Sequence, residues 1–466
     1  MNNSRFLLAV LLLVLPVFAQ STNDPFTPIR ADEGVIAVNF VEFASIPDAG
    51  TDAPRMMHLV TEPATHRLFV NTMLGMMYSL SYDGKTVIQY LDINSSEWKV
   101  PVQSRGAERG FQSFAFHPDF ARSGRPGYGK FYTYTDTSDT SVKADFVPGG
   151  GTRTHDTVLL EWTAKNPAAT KYDGGPPREL FRADQPFSNH NGGQIAFNPL
   201  SRPGSADFGL LYVGFADGGA GGDPFNLAQN LASAFGKILR IDPLGKNSAN
   251  GKYGIPSSNP FVKDGKNGTL GEIYAYGVRN PQRFCWDSKT SAMFVADIGQ
   301  NIVEEISPVT AGANLGWNKW EGSFTYSSRE VGTSNLRGEA GLTYPVVEYD
   351  HRDPLLQRLV AVTGVYVYRE KTIRALTNKL IFGDIPSGEV FYIDADNLPK
   401  GGQDALHRIL FNDKGARKRL LQLIQEKNQA QGKTPATRAD LRFGVGPEGQ
   451  ILILNKRDGV IRQIVP

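Results

Sequence analysis

Asn189-His190-Asn191-Gly192-Gly193-Gln194-Ile195-Ala196-Phe197 is followed shortly by Leu211-Tyr212-Val213-Gly214-Phe215-Ala216-Asp217-Gly218-Gly219. The alternation after the first glycine pair and the apolar run of the second piece predict two neighbouring strands. An imidazole stands at the start of one and a carboxylate at the end of the other. Strand ends converge on a sheet rim, where solvent and substrate can reach them. An imidazole titrates near neutral pH, so His190 is a candidate general base and Asp217 its companion. The competing reading is a turn histidine that satisfies a backbone group. The acidic glycine loop Asp217–Asp223 could bind a cation, although such loops are more often plain turns, and the lack of a long helix behind it argues against a phosphate cradle.

Outward from this pair, short apolar pieces recur with glycine and proline between them. His66–Val70 and Met76–Leu80 form a first group. Phe111–Phe116, Lys130–Thr135 and Thr157–Trp162 form a second, and Gln194–Phe197, Leu210–Phe215 and Lys237–Ile241 a third. Ile273–Tyr276, Phe284–Asp287, Ala292–Ala296 and Glu304–Ser307 make a fourth. Val362–Tyr368, Lys379–Phe382 and Glu389–Ile393 make a fifth, and Leu441–Val445, Gln450–Asn455 and Val460–Val465 a sixth. Helices long enough for parallel crossovers are missing, so the pattern predicts an all-β, six-bladed β-propeller with long loops at the channel mouth. One helix is expected over Ala416–Gln429, inside an insertion spanning about 404–437. The polar connections 217–224, 257–271, 314–338 and 349–358 are expected to gather at the channel ends, where sites form.

The 466 residues, 40% of them hydrophobic, carry a formal charge of +2. That balance, with one short basic cluster at Lys414–Arg419, argues against a nucleic-acid partner. Arg5, the apolar run Phe6–Leu15, Pro16 and Val17-Phe18-Ala19 read as an export signal over 1–19, too short to span a bilayer. A lead-in over 20–54 and the propeller over 55–466 would follow, in a periplasmic or secreted protein with no membrane insertion. The single Cys285 allows no internal disulfide and reads as a small buried hydrophobe. His117 reads as a turn residue, His351 as part of a solvated loop, and Glu304-Glu305 as a surface pair. Trp317 and Trp320 suit either a sugar-stacking rim or core packing.

Four segments taken together carry more: AERGFQSFAFHPDF from Ala107, NHNGGQIAF with LYVGFADGGAGGDPFNLAQN and GKILRIDP, YGVRNPQ from Tyr276, and ADIGQNIVEEI with GANLGWNKWEG from Ala296. With YPVVEYDH, AVTGVYVYR and LIFGDIPSGEVFYID they keep one order, from about Arg55 to the end. In these the chain resembles the soluble quinoprotein glucose and sorbosone dehydrogenases, of which the hedgehog-interacting proteins are relatives. The resemblance implies a six-bladed propeller that oxidises the anomeric hydroxyl of an aldose by hydride transfer to pyrroloquinoline quinone beside calcium, with an external electron acceptor. It implies His190 as base, Asp217 as its neighbouring carboxylate, and Arg279 and Asn280 as quinone contacts, where a fixed cation stabilises developing negative charge. It implies Gly299 and Gln300 as calcium ligands through their carbonyls, and Arg442 as a contact to the quinone's carboxylates. Glu305 could add a ligand.

The chain also departs from that pattern. Asp440 stands where a second cofactor-facing arginine is expected, and 383–390 offers Pro386 and Ser387 where a lysine belongs. Glu108 replaces a glutamine at the quinone site, and Leu315 a tyrosine whose carbonyl serves a structural calcium. Losing one charge-assisted contact costs about 1.5–3 kcal/mol, so weakened quinone binding is the expectation. Two rival functions follow: a cofactor-free propeller that binds a glycan or protein partner, and, by fold analogy alone, a metal-assisted lactone hydrolase.

Overall fold

Leu211–Phe215 is buried on both faces, because the strand is flanked within its own sheet and covered by neighbouring sheets on either side. The computed structural model describes residues 25–466 except 265, 267, 357 and 358. The export signal expected at 1–19 lies outside the described residues. Antiparallel four-stranded runs follow one another along the chain. Met56–Glu62, Arg67–Thr72, Met76–Ser81 and Val87–Asp92 form one. Phe111–Phe116, Lys130–Thr137, His155–Thr163 and Arg178–Gln185 form the next. Ile195–Phe197, Leu211–Phe215, Lys237–Ile241 and Ile273–Tyr276 come third. Pro281–Trp286, Met293–Asp297, Val303–Val309 and Val347–Asp350 follow, then Val362–Tyr368, Lys379–Asp384, Val390–Asp394 and His407–Asp413.

The remaining run joins the two ends of the described chain. Arg442–Val445, Ile451–Leu454 and Val460–Val465 pair in order, and Ile36–Ser45 completes them by lying antiparallel to Val460–Val465. Ile36–Ser45 also runs parallel to His407–Asp413, and Met56–Glu62 touches Arg442–Val445 through Leu59 and Gly444. Those two junctions merge three runs into one 13-stranded sheet, so the sheets are not all separate as the sequence pattern implied. The sheet structure begins at Ile36 rather than near residue 55.

Two further segments depart from expectation. The 314–338 connection contains a small sheet of Trp320–Glu321, Phe324–Ser327 and Glu330–Gly332. Around 404–437, His407–Asp413 belongs to the main sheet, and Ala416–Lys418 folds back on it in a hairpin. The turn uses Lys414 and Gly415 at φ of 51° and 80°, a left-handed pair that only a tight turn demands. The helix therefore starts later, at Leu420–Ala430, and buries Leu420, Leu421, Leu423 and Ile424 against Leu441, Ile451 and Ile453.

First strands of successive runs are tied side by side. Ser113 Oγ donates to the Gly193 carbonyl at 3.1 Å, and Gln194 Oε1 accepts from the Phe284 N–H at 3.0 Å. Thr363 Oγ1 donates to Gln282 Oε1 at 2.9 Å. At Gly193 an added Cβ would sit 2.2 Å from the Pro281 carbonyl, so a side chain there would force apart the two segments that carry the candidate residues.

Candidate functional site

His190 precedes Ile195–Phe197, Asp217 follows Leu211–Phe215, Arg279 and Asn280 precede Pro281–Trp286, and Asp297 ends Met293–Asp297. All therefore emerge at one end of adjoining runs. His190 has a φ of 57°, and its N–H donates to a Glu108 carboxylate oxygen at 2.7 Å. Its Nδ1 lies 2.6 Å from Asp217 Oδ1, and its Nε2 lies 2.8 Å from Arg279 Nη2. A guanidinium can only donate, so the network assigns a lone pair to Nε2 and the proton to Nδ1. His190 and Arg279 are 4% and 8% exposed and in direct contact.

Asp217 is more than a companion. It accepts from Trp317 Nε1 at 2.9 Å and from the Gly219 N–H at 2.9 Å. Burial would raise its carboxyl, but His190 and Arg279 outweigh burial and hold it below the usual carboxylate range. The Arg279 guanidinium packs 5.8 Å from the Trp317 ring centroid, donates to the Ile298 carbonyl at 2.8 Å, and reaches Gln300 Oε1 at 3.0 Å. Gln300 thus enters through its side chain, where a carbonyl role was expected. The Arg279 and Asn280 N–H groups both donate to Asp297, at 2.8 and 2.7 Å.

Behind this layer lies an acidic one. Glu321 Oε1 accepts from four successive N–H groups, Gln300 to Val303, at 3.0, 2.7, 2.8 and 3.1 Å. Its Oε2 and Glu305 Oε2 are buried without a partner. Both residues line a cavity of about 10 Å³ with Asp297, Gly299 and Arg279. Burial, and then Asp297, Glu348, Glu321 and Glu304, push the Glu305 carboxyl well up. Burial raises Asp297 to about 7. No three His, Cys, Asp or Glu among the described residues are disposed to hold a metal alone, so a cation here would also need carbonyl oxygens. The expectation for Leu315 concerns its backbone carbonyl, not its side chain, which sits in an apolar cluster with Ile238 and Val278.

Other expectations resolve individually. Glu304 and Glu305 are buried rather than a surface pair. His351 is not solvated: its Nε2 lies 2.6 Å from Glu304 Oε1. Burial alone would lower the His351 pKa, and Glu304 raises it. Asp223 caps the Leu227 and Ala228 N–H groups at 2.9 and 2.8 Å, so that glycine-rich loop is a turn. His117 Nδ1 likewise accepts from the Asp119 N–H at 3.0 Å. Trp320 donates to Glu339 at 2.7 Å. Burial pushes the Cys285 thiol up to about 12, which removes it as a nucleophile. Arg442 is buried, and burial lowers it to about 10; its Nη1 donates to the Leu441 carbonyl and its Nε has no partner.

The chain is similar to several known proteins over much of its length. The chain is 30% identical over 363 residues to the HIPL1 protein of Arabidopsis thaliana, covering 71% of this chain and 51% of that protein. It is 26% identical over 244 residues to the aldose sugar dehydrogenase YliI of Escherichia coli K12, covering 52% and 56%. The chain thus spans about half the length of the curated relatives it matches. The PQQ-bound aldose sugar dehydrogenase of Streptomyces coelicolor superposes with a TM-score of 0.55 at 18% identity, over 91% of this chain and 96% of that one. The apo aldose sugar dehydrogenase of E. coli gives 0.57 at 18%, over 92% and 98%. These likenesses establish a shared, nearly all-β fold. The profile of the family described as Glucose / Sorbosone dehydrogenase matches residues 52–427, and the chain belongs to that family.

Proposed function

We propose that the protein is an exported sugar oxidoreductase that oxidises an aldose at its anomeric carbon, with pyrroloquinoline quinone as hydride acceptor and calcium beside it. The observation that carries this reading is the Asp217–His190–Arg279 chain, which leaves a basic nitrogen at a channel mouth. Its four-stranded runs are read as six blades around that channel.

The residues present fit the two groups. Asn280 Oδ1 and Arg442 Nε are buried without partners, an arrangement costly to leave unmatched, and with Arg279 they would hold a polar, anionic planar ligand. The orphaned oxygens of Glu305 and Glu321 beside Gly299 fit a hard cation that prefers oxygen ligands and loose geometry. When bound, the quinone would supply a two-electron acceptor that no side chain offers.

The chain's own residues then have defined tasks. An anomeric hydroxyl displaces Arg279 Nη2 from His190 Nε2 and gives that nitrogen its proton. The C1–H bond breaks with its electron pair as hydride, and C1 becomes the lactone carbonyl. Asp217, ionised and 2.6 Å from Nδ1, balances the imidazolium that forms. Arg279 stays beside the reacting centre as the fixed cation. An external electron acceptor completes turnover.

His190→Gln tests the base. Sugar-dependent dye reduction by protein reconstituted with quinone and calcium should fall by about 10³-fold or more, with quinone still quenching tryptophan fluorescence. Unchanged turnover removes His190 from the mechanism, and no saturable quinone binding by the unmodified protein favours the partner-binding alternative.

A further inference from the structure

A cavity of about 760 Å³ is lined by five cationic side chains and two carboxylates. Its most buried cation is Lys456, 5% exposed, whose Nζ donates to the Ala107 carbonyl at 3.0 Å and lies 3.3 Å from Met73 Sδ. No carboxylate among the described residues bonds to it. Asp440, read from sequence as a lost positive charge, has the opposite effect: it clasps two arginines at the rim. Arg438 Nε lies 2.6 Å from its Oδ1 and Arg457 Nη2 2.5 Å from its Oδ2. Arg55 is anchored to the Ser104 and Gly106 carbonyls at 3.2 and 2.5 Å, again without a carboxylate. The wall is continuous with the candidate site, since Ala107 adjoins the Glu108 that binds the His190 N–H.

Four cations share one carboxylate, Asp440, between two of them, and the buried one, Lys456, has only a carbonyl and a thioether beside it; a ligand bearing several carboxylates would offset that excess positive charge. We propose that this cavity is a polycarboxylate-binding subsite in which Lys456, Arg457, Arg438 and Arg55 receive the carboxylates of the quinone cofactor. They replace, from other positions of the chain, the lysine missing from 383–390 and the arginine replaced at 440. The inference rests on the oxidoreductase reading for the identity of its ligand and on the cavity for its chemistry.

The test is equilibrium binding, read by tryptophan fluorescence and calorimetry without turnover. The probes are pyrroloquinoline quinone with calcium chloride and, separately, citrate. Lys456→Met, which keeps length and apolar contacts, and the rim variant Arg457→Gln are compared with Lys85→Met, a solvent-exposed lysine outside the cavity. Each cavity variant should weaken both probes about tenfold or more, and Lys85→Met should leave both unchanged. If quinone binds and both cavity variants bind it as tightly as the unmodified protein, the inference falls and the oxidoreductase reading stands. If citrate binds in a Lys456-dependent way and quinone does not, the polycarboxylate subsite is upheld and the cofactor assignment falls. If neither probe binds, both fall.

Discussion

Replacing Asp217 by Asn keeps the shape of the site and removes one charge. The carboxylate accepts from His190, Trp317 and Gly219 at 2.6, 2.9 and 2.9 Å. When His190 takes a proton it becomes an imidazolium near the displaced Arg279 guanidinium, and Asp217, 2.6 Å from Nδ1, offsets that repulsion. A unit charge about 4 Å away at an effective dielectric near 20 is worth about 4 kcal/mol, or roughly a thousandfold in rate. The amide can also donate to Nδ1 and move the proton to Nε2, where it would face Arg279. Turnover of the reconstituted variant, measured by dye reduction at saturating sugar, should fall about 10²–10⁴-fold. Quinone affinity should change little, because the Asp217 oxygens are taken up by His190, Trp317 and Gly219. A kcat within fivefold of the unmodified protein would refute the role given to the charge.

Calcium should stabilise the protein more at pH 8 than at pH 5, because Glu305 and Asp297, raised by burial, must be deprotonated to bind it. A melting rise of about 3 °C or more at pH 8 in 1 mM calcium chloride, absent at pH 5, is expected by mass action. Glu321→Gln, which points an amide at the cavity, should abolish it, and a rise of equal size at both pH values would contradict the assignment. Away from the site, burial raises the Asp136 carboxyl to about 7. Between the ordinary carboxylate pKa and 7 the folded protein holds a proton the unfolded chain has released, so stability falls as pH rises through that window. Asp136→Asn should therefore match the unmodified protein at pH 4 and exceed it by at most about 4 kcal/mol at pH 8, as read by urea unfolding.

What the sequence reveals here depends on how local the signal is. Gly193 and the alternation behind it announce a strand, and His190 and Asp217 stand at strand ends beside glycine punctuation, so the all-β class and that pair could be read directly, whereas Arg279 came only through the family resemblance. Glu321 could not: its segment looked like irregular loop, and its importance lies in four N–H groups about twenty residues away. At Asp440 residue type says only that a positive charge is missing, and its partners Arg438 and Arg457 are brought to it by folding alone. Glu304 looked exposed beside Glu305 because two adjacent acids in a strand usually include a solvated one. Here both faces are covered, one by His351.

The strand Ile36–Ser45 has a consequence for synthesis. Asn39 Nδ2 donates to the carbonyl of Pro466, 427 positions away. During vectorial translation that ribbon emerges early and waits, its hydrogen-bonding edges bare, until 407–413 and then 460–465 leave the ribosome. An idle edge of this kind recruits strangers, and contacts so distant along the chain form slowly. Pairing of this early ribbon with 460–465 is thus a clasp that closes late, and a nascent chain released before that segment has nothing to fasten.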